Sequence, residues 1–244
     1  ATNIPPHNLR EVVDGTLYLM DHPEAGVREL MQFIKGPDFP TGAGIYGTAG
    51  IYEAYMTGKG HINVRATAHI EDEHHRIIVT EIPYMVNKSE LIKSMADLVK
   101  EKRIEGVTDL RDESGRDGMR IVIECRRDAN CQIILNQFYK YTQLQDTCAV
   151  NMLALVGGEP KILNLRQILS VYIDHQTNVI TNRVRFDLAK ALREEHIHEG
   201  YKIAIDHIDE VISIIRASAD TPTAKANLQT RFELSDEQAQ AIVS

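Results

Sequence analysis

The sequence predicts an α+β fold, in which helices and a small antiparallel sheet are followed by a long protruding helix. Apolar and polar residues alternate over residues 61–70, which is typical of a strand with one buried face, and residues 76–82 are expected to form its partner strand. Residues 165–218 instead contain no proline and a single glycine, and their apolar residues recur at spacings of three and four. These two periods therefore predict a sheet-containing body followed by a coiled-coil helix.

The segments before the first strand predict a loop and short helices. Residues 1–9 carry two adjacent prolines and no period, so we expect an extended loop there. Apolar residues three and four apart predict helices over 10–20 and 26–34. Residues 35–50 hold five glycines and two prolines, which indicates a structured loop. Residues 50–60 predict a helical turn that ends in a Gly-Lys-Gly turn.

The body of the chain predicts strands joined by tight turns. On the strand over 61–70, one face carries Ile62, Val64, Ala66, Ala68 and Ile70. The polar residues 71–75 form the tip of a hairpin with the strand over 76–82. Further along, the pattern predicts a helix over 87–102 capped by Asn87, strands over 108–112 and 119–125, a helix over 128–140, and a hairpin over 152–163.

The long helix that begins near residue 165 would extend for about 50 residues, or about 75 Å. Its apolar positions are Ile180, Val184, Leu188, Leu192, Tyr201, Ala204, Ile208, Val211 and Ile215. A stripe of this kind needs a partner helix. We find no returning helix in the sequence, so we expect the partner to come from a continuation of this chain or from another chain.

Composition restricts the class of protein. The formal net charge is −8, which does not favour a nucleic-acid binder because phosphate binding usually requires a basic surface. Three cysteines without CxxC spacing argue against a zinc site or a disulfide framework and favour a reducing compartment. No apolar run is long enough to span a membrane, and we recognise no signal peptide, so we expect a cytoplasmic protein.

Three local motifs have alternative interpretations. Ile4 precedes Pro5 and Pro6, and such a rigid loop either packs internally or presents an apolar side chain that enters between base pairs. The segment 69–75 has three histidines and three acidic residues, which suit a metal, but a solvated hairpin tip is the simpler interpretation. The mixed charges of 111–120 are most simply explained as a charge-balanced hairpin.

Seven strings carry a resemblance to a known family. In order they are ATNIPPHNL (1–9), GPDFPTG (36–42), GIYEAYMTGKG (50–60), EIPYMVNKSELI (81–92), LRDESGRDGMRIVIECRRDA (110–129), GEPKILNL (158–165) and EQAQAIV (237–243). Together they resemble the A subunits of bacterial type IIA topoisomerases, and the resemblance runs from end to end. The string at 110–129 resembles DNA gyrase more than the sister enzyme topoisomerase IV.

The resemblance implies a division of the chain into four parts. These are a DNA-bending loop with connecting helices over 1–35, a tower domain over 36–164, a coiled-coil helix over 165–220 and the start of an exit-gate helical region over 221–244. In the family, the DNA-cleaving tyrosine lies in a winged-helix domain before the ATNIPPHNL string. The resemblance therefore implies that none of the nine tyrosines here is the nucleophile and that this chain has no catalytic residue.

The resemblance also implies a DNA-binding set. Ile4 matches the intercalating isoleucine of the family, while Thr2, Asn3, His7 and Asn8 flank it. Lys59 and Arg65 are the cations that we expect to bind phosphate, and no metal site is expected.

The function implied for the full assembly is ATP-dependent breakage, passage and resealing of duplex DNA with introduction of negative supercoils. The expected partners are double-stranded DNA, the gyrase B subunit, and a second A subunit in an A2B2 assembly, with no membrane. Mg²⁺ and ATP are expected on the B subunit, with none bound by this chain. Two alternatives stay open: the topoisomerase IV counterpart of this A subunit, or a non-catalytic dimerisation scaffold with negligible DNA binding alone.

Overall fold

The computed structural model describes residues 3–244 and confirms the α+β class, with several small antiparallel sheets and a long helix. The helices are α1 (Leu9–Asp21), α2 (Val27–Leu30), α3 (Ala49–Thr57), α4 (Lys88–Lys100), α5 (Cys131–Tyr141), α6 (Leu165–Asp206), α7 (Ile208–Ala217), α8 (Thr221–Phe232) and α9 (Asp236–Val243). The strands are β1 (Gly44–Ile45), β2 (Lys59–Arg65), β3 (Thr67–Glu71), β4 (Arg76–Glu81), β5 (Val107–Asp112), β6 (Ile121–Cys125), β7 (Gln145–Asn151), β8 (Leu153–Val156) and β9 (Glu159–Ile162).

The chain divides into two compact units, Ala1–Ile173 and Asp174–Ser244, and helix α6 contributes residues to both. Among the described residues, the first unit holds three sheets with the strand orders β1-β2-β7, β3-β4-β6-β5 and β8-β9. Neighbouring strands are antiparallel throughout these sheets.

The single strand predicted over 61–70 is wrong, because the structure has two strands that belong to different sheets. Strand β2 pairs with β1 and β7, whereas β3 forms the expected hairpin with β4. The division falls at Ala66, whose N–H donates to the Leu144 carbonyl at 2.8 Å. Buried positions continue to alternate through the break, so a period of two could not reveal it.

The four-stranded sheet packs against α4 and α5 to form one core of the first unit. Ile77 and Val79 of β4 lie opposite Ile123 and Ile121 of β6, and all four are fully buried. The core-facing side chains of the two helices include Leu91, Met95, Ile134 and Phe138. Helix α4 begins where the sequence predicts, since the side chain of Asn87 accepts a hydrogen bond from the Glu90 N–H.

A second core lies between α3 and β2, and two glycines allow the helix to approach the strand. A Cβ on Gly50 would lie 1.9 Å from the His61 carbonyl oxygen, and one on Gly60 would lie 2.6 Å from the Gly50 carbonyl oxygen. No other residue fits these positions without moving backbone. The close approach fixes Tyr55 of α3 inside the core with Ile62 and Val64.

Residues 165–220 do not form the single continuous helix that the sequence predicts. The helix is interrupted at His207, whose φ of −126° and ψ of 35° are not helical, and α7 starts at the next residue. The apolar spacing of three and four runs unbroken through this point, so no local pattern marks the break. Ala204 and Val211 pack against Leu228, Leu234 and Ala239. Two positions of the predicted seam, Ala204 and Val211, are therefore covered by residues of this chain, which no local pattern predicts. The seam residues Tyr201, Ile208 and Ile215 remain partly exposed.

Among residues 3–244, no helix combines the length and the apolar character that crossing a membrane requires.

Candidate nucleic-acid interface

The loop over residues 3–8, hereafter the Ile4 loop, is held on both sides of Ile4. On one side, the Asn3 carbonyl accepts a hydrogen bond from the Asn151 N–H at 2.7 Å. On the other side, Pro5 is buried and the Pro6 carbonyl accepts from the Asp38 N–H at 2.8 Å. Ile4 itself is 37% exposed. The prediction that this side chain is presented outwards is therefore compatible with its surroundings.

A groove of about 350 Å³ adjoins Ile4, and its lining is mixed, with Asp146 and Thr147 beside apolar side chains. Its walls include Phe39, Tyr84 and Met85, and the rings of Phe39 and Tyr84 stack with centroids 5.6 Å apart. Met85 is 85% exposed. Ile4 thus lies beside other apolar side chains that are partly open to solvent.

The polar residues that flank Ile4 are engaged within the chain. The Asn8 side chain accepts from the N–H groups of Arg10 and Glu11 and so caps α1, and its amide donates to Asp38 at 3.0 Å. His7 is engaged through both of its ring nitrogens. DNA contacts by these two side chains stay predictions. Asn3 is exposed. Thr2 lies outside the described residues.

The two ring nitrogens of His7 have distinct partners. Nδ1 lies 2.8 Å from the Pro5 carbonyl oxygen, and Nε2 lies 2.6 Å from the Tyr55 hydroxyl. Burial lowers the pKa of His7, opposed by the bond to Pro5 and by the charge of Glu11. Burial also raises the pKa of Tyr55, and Glu11 adds to that rise. Both directions favour the neutral forms of the pair.

Lys59 and Arg65 lie on one exposed face of the β1-β2-β7 sheet. Alternate residues of β2 point to this face, and their partners on β7 complete it. We call it the β2–β7 face, and its residues are Lys59, His61, Asn63, Arg65, Gln145, Thr147, Ala149 and Asn151. None of these residues is acidic, although the whole chain carries a formal charge of −8. The face is therefore a local exception to the acidic character of the chain.

Arg65 is held in a defined orientation on this face. Its guanidinium carbon lies 3.8 Å from the Tyr46 ring centroid and 4.6 Å from the Tyr139 ring centroid. Its Nε donates to Gln145 at 2.7 Å. In the part of the chain that the structure describes, no carboxylate forms an ion pair with Arg65 or Lys59. Both cations can therefore bind phosphate without breaking an existing pair, and Arg65 is already ordered for it.

The Ile4 loop lies beside the Lys59 end of this face. Asn151, which holds Asn3, is the register partner of Lys59 on the neighbouring strand. Arg65 lies six residues further along β2, or roughly 20 Å away. The structure thus brings Lys59 close to the Ile4 loop and places Arg65 at the far end of the same face.

Two of the three arginines in the hairpin near residues 111–120, Arg111 and Arg120, form ion pairs with acidic residues, which agrees with its interpretation as charge-balanced. Arg111 pairs with Asp109, Glu113 and Glu124, while Arg120 pairs with Glu113. Hydrogen bonds from Arg111 and then Arg120 lower the pKa of Glu113. Among the described residues, histidine, cysteine and acidic side chains form no group of three or more that could hold a metal ion.

Four residues of the candidate interface were not predicted from the sequence. His61 and Asn63 lie between Lys59 and Arg65 on the β2–β7 face, and the period of two over 59–65 could have identified them. Tyr46 and Tyr139, which orient Arg65, come from distant parts of the chain and had no local signal.

Comparison with known proteins defines the family. Residues 1–244 match the family of the DNA gyrase/topoisomerase IV A subunits, and the chain therefore belongs to it. Its relatives include the DNA gyrase A subunits of Clostridium acetobutylicum, 61% identical, and of Halalkalibacterium halodurans, 57% identical. Each match covers 100% of this chain but only 30% and 29% of the respective relative, so the chain spans less than a third of their length.

Proposed function

We propose that this chain binds duplex DNA through its phosphates and bends it by inserting Ile4 between base pairs. The observation that carries this proposal is the Ile4 loop, in which an exposed isoleucine is flanked by anchored backbone on both sides. Insertion of an apolar side chain unstacks a base step at a cost of a few kcal/mol, so the side chain must be held out firmly.

The β2–β7 face supplies the electrostatic part of the proposal. Among the described residues Lys59 and Arg65 form no ion pair, and they have no acidic neighbours on the face. Phosphate contacts of this kind bind DNA without regard to sequence and weaken as salt rises. A bend supported by phosphate contacts suits a protein that acts at many DNA sequences.

We further propose that the chain acts within a gyrase-type A subunit. Both of the relatives from Clostridium acetobutylicum and Halalkalibacterium halodurans are named as DNA gyrase A subunits. The full protein would pair with B subunits and with a second copy of itself in an A2B2 assembly in the cytoplasm. It would then cleave, pass and reseal DNA and introduce negative supercoils. Mg²⁺ and ATP would bind to the B subunit.

Cleavage would be performed by a tyrosine outside these 244 residues. The environments of three tyrosines here support this proposal. Tyr55 is buried, and Tyr46 and Tyr139 stack on Arg65. Incubation of this chain with supercoiled plasmid and Mg²⁺ should therefore give no covalent protein–DNA complex, and the appearance of one would contradict this part of the proposal.

Binding and bending are tested on the chain itself. Fluorescence anisotropy with a duplex of about 30 base pairs across a salt series should show affinity that falls as salt rises. Energy transfer between dyes at the two duplex ends should report a bend. Ile4→Ala should lose the bend and keep the salt dependence, because the phosphate contacts remain.

Ile212→Ala is the matched control for bending, since Ile212 is 40% exposed, close to the value for Ile4, and lies in the second unit. This variant should bend DNA like the parent chain. Equal bending by the parent chain and Ile4→Ala would refute intercalation.

A second candidate function is a dimerisation scaffold. The observation that favours it is the stripe of Ile180, Val184, Leu188 and Leu192 on α6, where each side chain is about half exposed. An apolar stripe at this spacing is typical of a helix that packs on a partner. Self-association in sedimentation experiments, together with no DNA binding even at low salt, would favour the scaffold over the DNA-binding proposal.

A further inference from the structure

We propose that His7 and Tyr55 form a positioning pair, which holds the Ile4 loop in the conformation that intercalates. This inference rests on the proposed DNA-bending function and deepens it. Neither residue needs to touch DNA for this role. Their effect would be transmitted through the turn that includes Pro5 and Pro6.

The hydrogen-bond directions in this pair follow from chemistry. A carbonyl oxygen can only accept, so Nδ1 of His7 carries the hydrogen that is donated to the Pro5 carbonyl. In the neutral ring, Nε2 then accepts, and the Tyr55 hydroxyl must donate to it at 2.6 Å. His7 therefore links the backbone next to Ile4 to a side chain that lies 48 residues further along the sequence.

Tyr55 provides a rigid anchor for this link. It is 1% exposed and lies on α3, which packs directly on β2 through Gly50 and Gly60. The Tyr55 ring therefore has little freedom to follow a moving loop. In the described part of the chain, its hydroxyl has no hydrogen-bond partner besides His7. The bond thus ties the loop to the most rigid element beside it.

The remaining contacts around the pair show how much of the loop depends on it. An isolated bridge joins His7 to Pro37, and the Pro6 carbonyl accepts from the Asp38 N–H. These contacts involve backbone only. The charge of Glu11 on α1 acts on both members of the pair, and the Asp38 carboxylate in the facing loop is engaged by Asn8. His7 is therefore the loop side chain that forms a hydrogen bond with a buried residue of the core, while Pro5 is buried without a side-chain hydrogen bond.

Intercalation makes such a link useful. An isoleucine on a mobile loop would lose conformational freedom when it entered the stack, and that loss would oppose the bend. A loop that is already fixed avoids this loss. The pair should therefore affect the step that distorts DNA, and it should matter much less for DNA that is already unstacked.

The test uses the whole chain and two variants that each remove one side of the bond. Tyr55→Phe keeps the buried ring and removes the donor hydroxyl. His7→Asn keeps an amide that can donate to the Pro5 carbonyl but does not extend to Tyr55. The double variant completes the cycle. Tyr52→Phe is the matched control, because Tyr52 lies on the same helix and its hydroxyl accepts from Arg28 at 3.0 Å.

Each variant is measured on two duplexes, one fully paired and one with a two-base bulge that is already kinked. We expect each single variant to weaken binding to the paired duplex by about fivefold to tenfold, because a loop released from its anchor loses conformational freedom when Ile4 enters the stack. The double variant should be no weaker than the singles. On the bulged duplex all variants should bind like the parent chain, whereas a general loss of folding would weaken binding to both duplexes.

The outcomes separate this inference from the proposed function. If Ile4→Ala fails to change bending, the proposed function fails, whatever the pair does. If Ile4→Ala removes bending but Tyr55→Phe behaves like Tyr52→Phe, the proposed function stands and the positioning role is refuted. Equal losses on the paired and bulged duplexes, or additive effects in the double variant, would also refute it.

Discussion

Replacing Arg65 by glutamine should reduce both the DNA affinity of the chain and the salt dependence of that affinity. Arg65 is one of two formal positive charges on the β2–β7 face, and its guanidinium is fixed between Tyr46 and Tyr139. One lost phosphate contact should lower the slope of log K against log salt by about 0.9. Because Arg65 is partly exposed, the loss in binding free energy should be roughly 1 kcal/mol, or about fivefold in affinity.

The assay is anisotropy on one duplex between about 50 and 200 mM salt. Arg65→Lys separates charge from geometry, because it keeps the cation but loses the planar group that stacks on the two tyrosine rings. It should therefore keep the slope of the parent chain while binding somewhat less tightly.

Arg28→Gln is the matched control for Arg65→Gln. Arg28 also stacks on a tyrosine, with its guanidinium carbon 5.6 Å from the Tyr52 ring centroid, and its loss changes the net charge equally. Arg28 does not belong to the β2–β7 face. A slope that is unchanged in Arg65→Gln, or reduced equally in Arg28→Gln, would refute the role of this face.

Two further predictions concern the framework that carries the interface. Gly50→Ala places a Cβ 1.9 Å from the His61 carbonyl oxygen, so it should destabilise the first unit by about 3 kcal/mol and lower its thermal midpoint by roughly 6–12 °C. Gly115→Ala, where the new Cβ meets nothing within 4 Å, should leave the midpoint unchanged, and equal midpoints for both variants would contradict the close approach of α3 to β2. The hydrogen bond from Lys88 lowers the pKa of Asp112 to about 2. The ionised Asp112 therefore stabilises the fold fully above its ordinary pKa of 3.8, and this stabilisation is lost as the pH falls through about 2. A carboxyl titration by NMR should show this shift, and Lys88→Met should move the midpoint back towards the ordinary value; an unshifted midpoint in the parent chain would contradict the ion pair.

Local patterns in the sequence were sufficient for many elements of the fold. Asn87 marks the start of α4 because an N-cap side chain satisfies backbone N–H groups within its own segment. The β3–β4 hairpin and the charge-balanced turn near residue 115 are also local features. The resemblance carried by the seven strings identified the family, which a net charge of −8 alone would have argued against.

Features that depend on distant residues could not be predicted in this way. The sequence of β7 is mostly polar and predicts no strand. The segment is a strand because it pairs with β2 along its whole length. The contacts of Arg65 with Gln145, and of His7 with Tyr55, join residues 80 and 48 positions apart. The break at His207 also lacks a local signal, since apolar spacing continues through it. In each case the tertiary environment, rather than local propensity, decides the outcome.

The most direct test of the central claim detects unstacking of DNA by Ile4. The fluorescent base 2-aminopurine brightens when it loses its stacked neighbours, so it can be moved one step at a time along a duplex bound by the chain. The parent chain should raise the 2-aminopurine fluorescence at one position. Ile4→Ala should bind the same duplex without raising the fluorescence at that position. If no position brightens with the parent chain, or if Ile4→Ala brightens the same one, Ile4 does not intercalate.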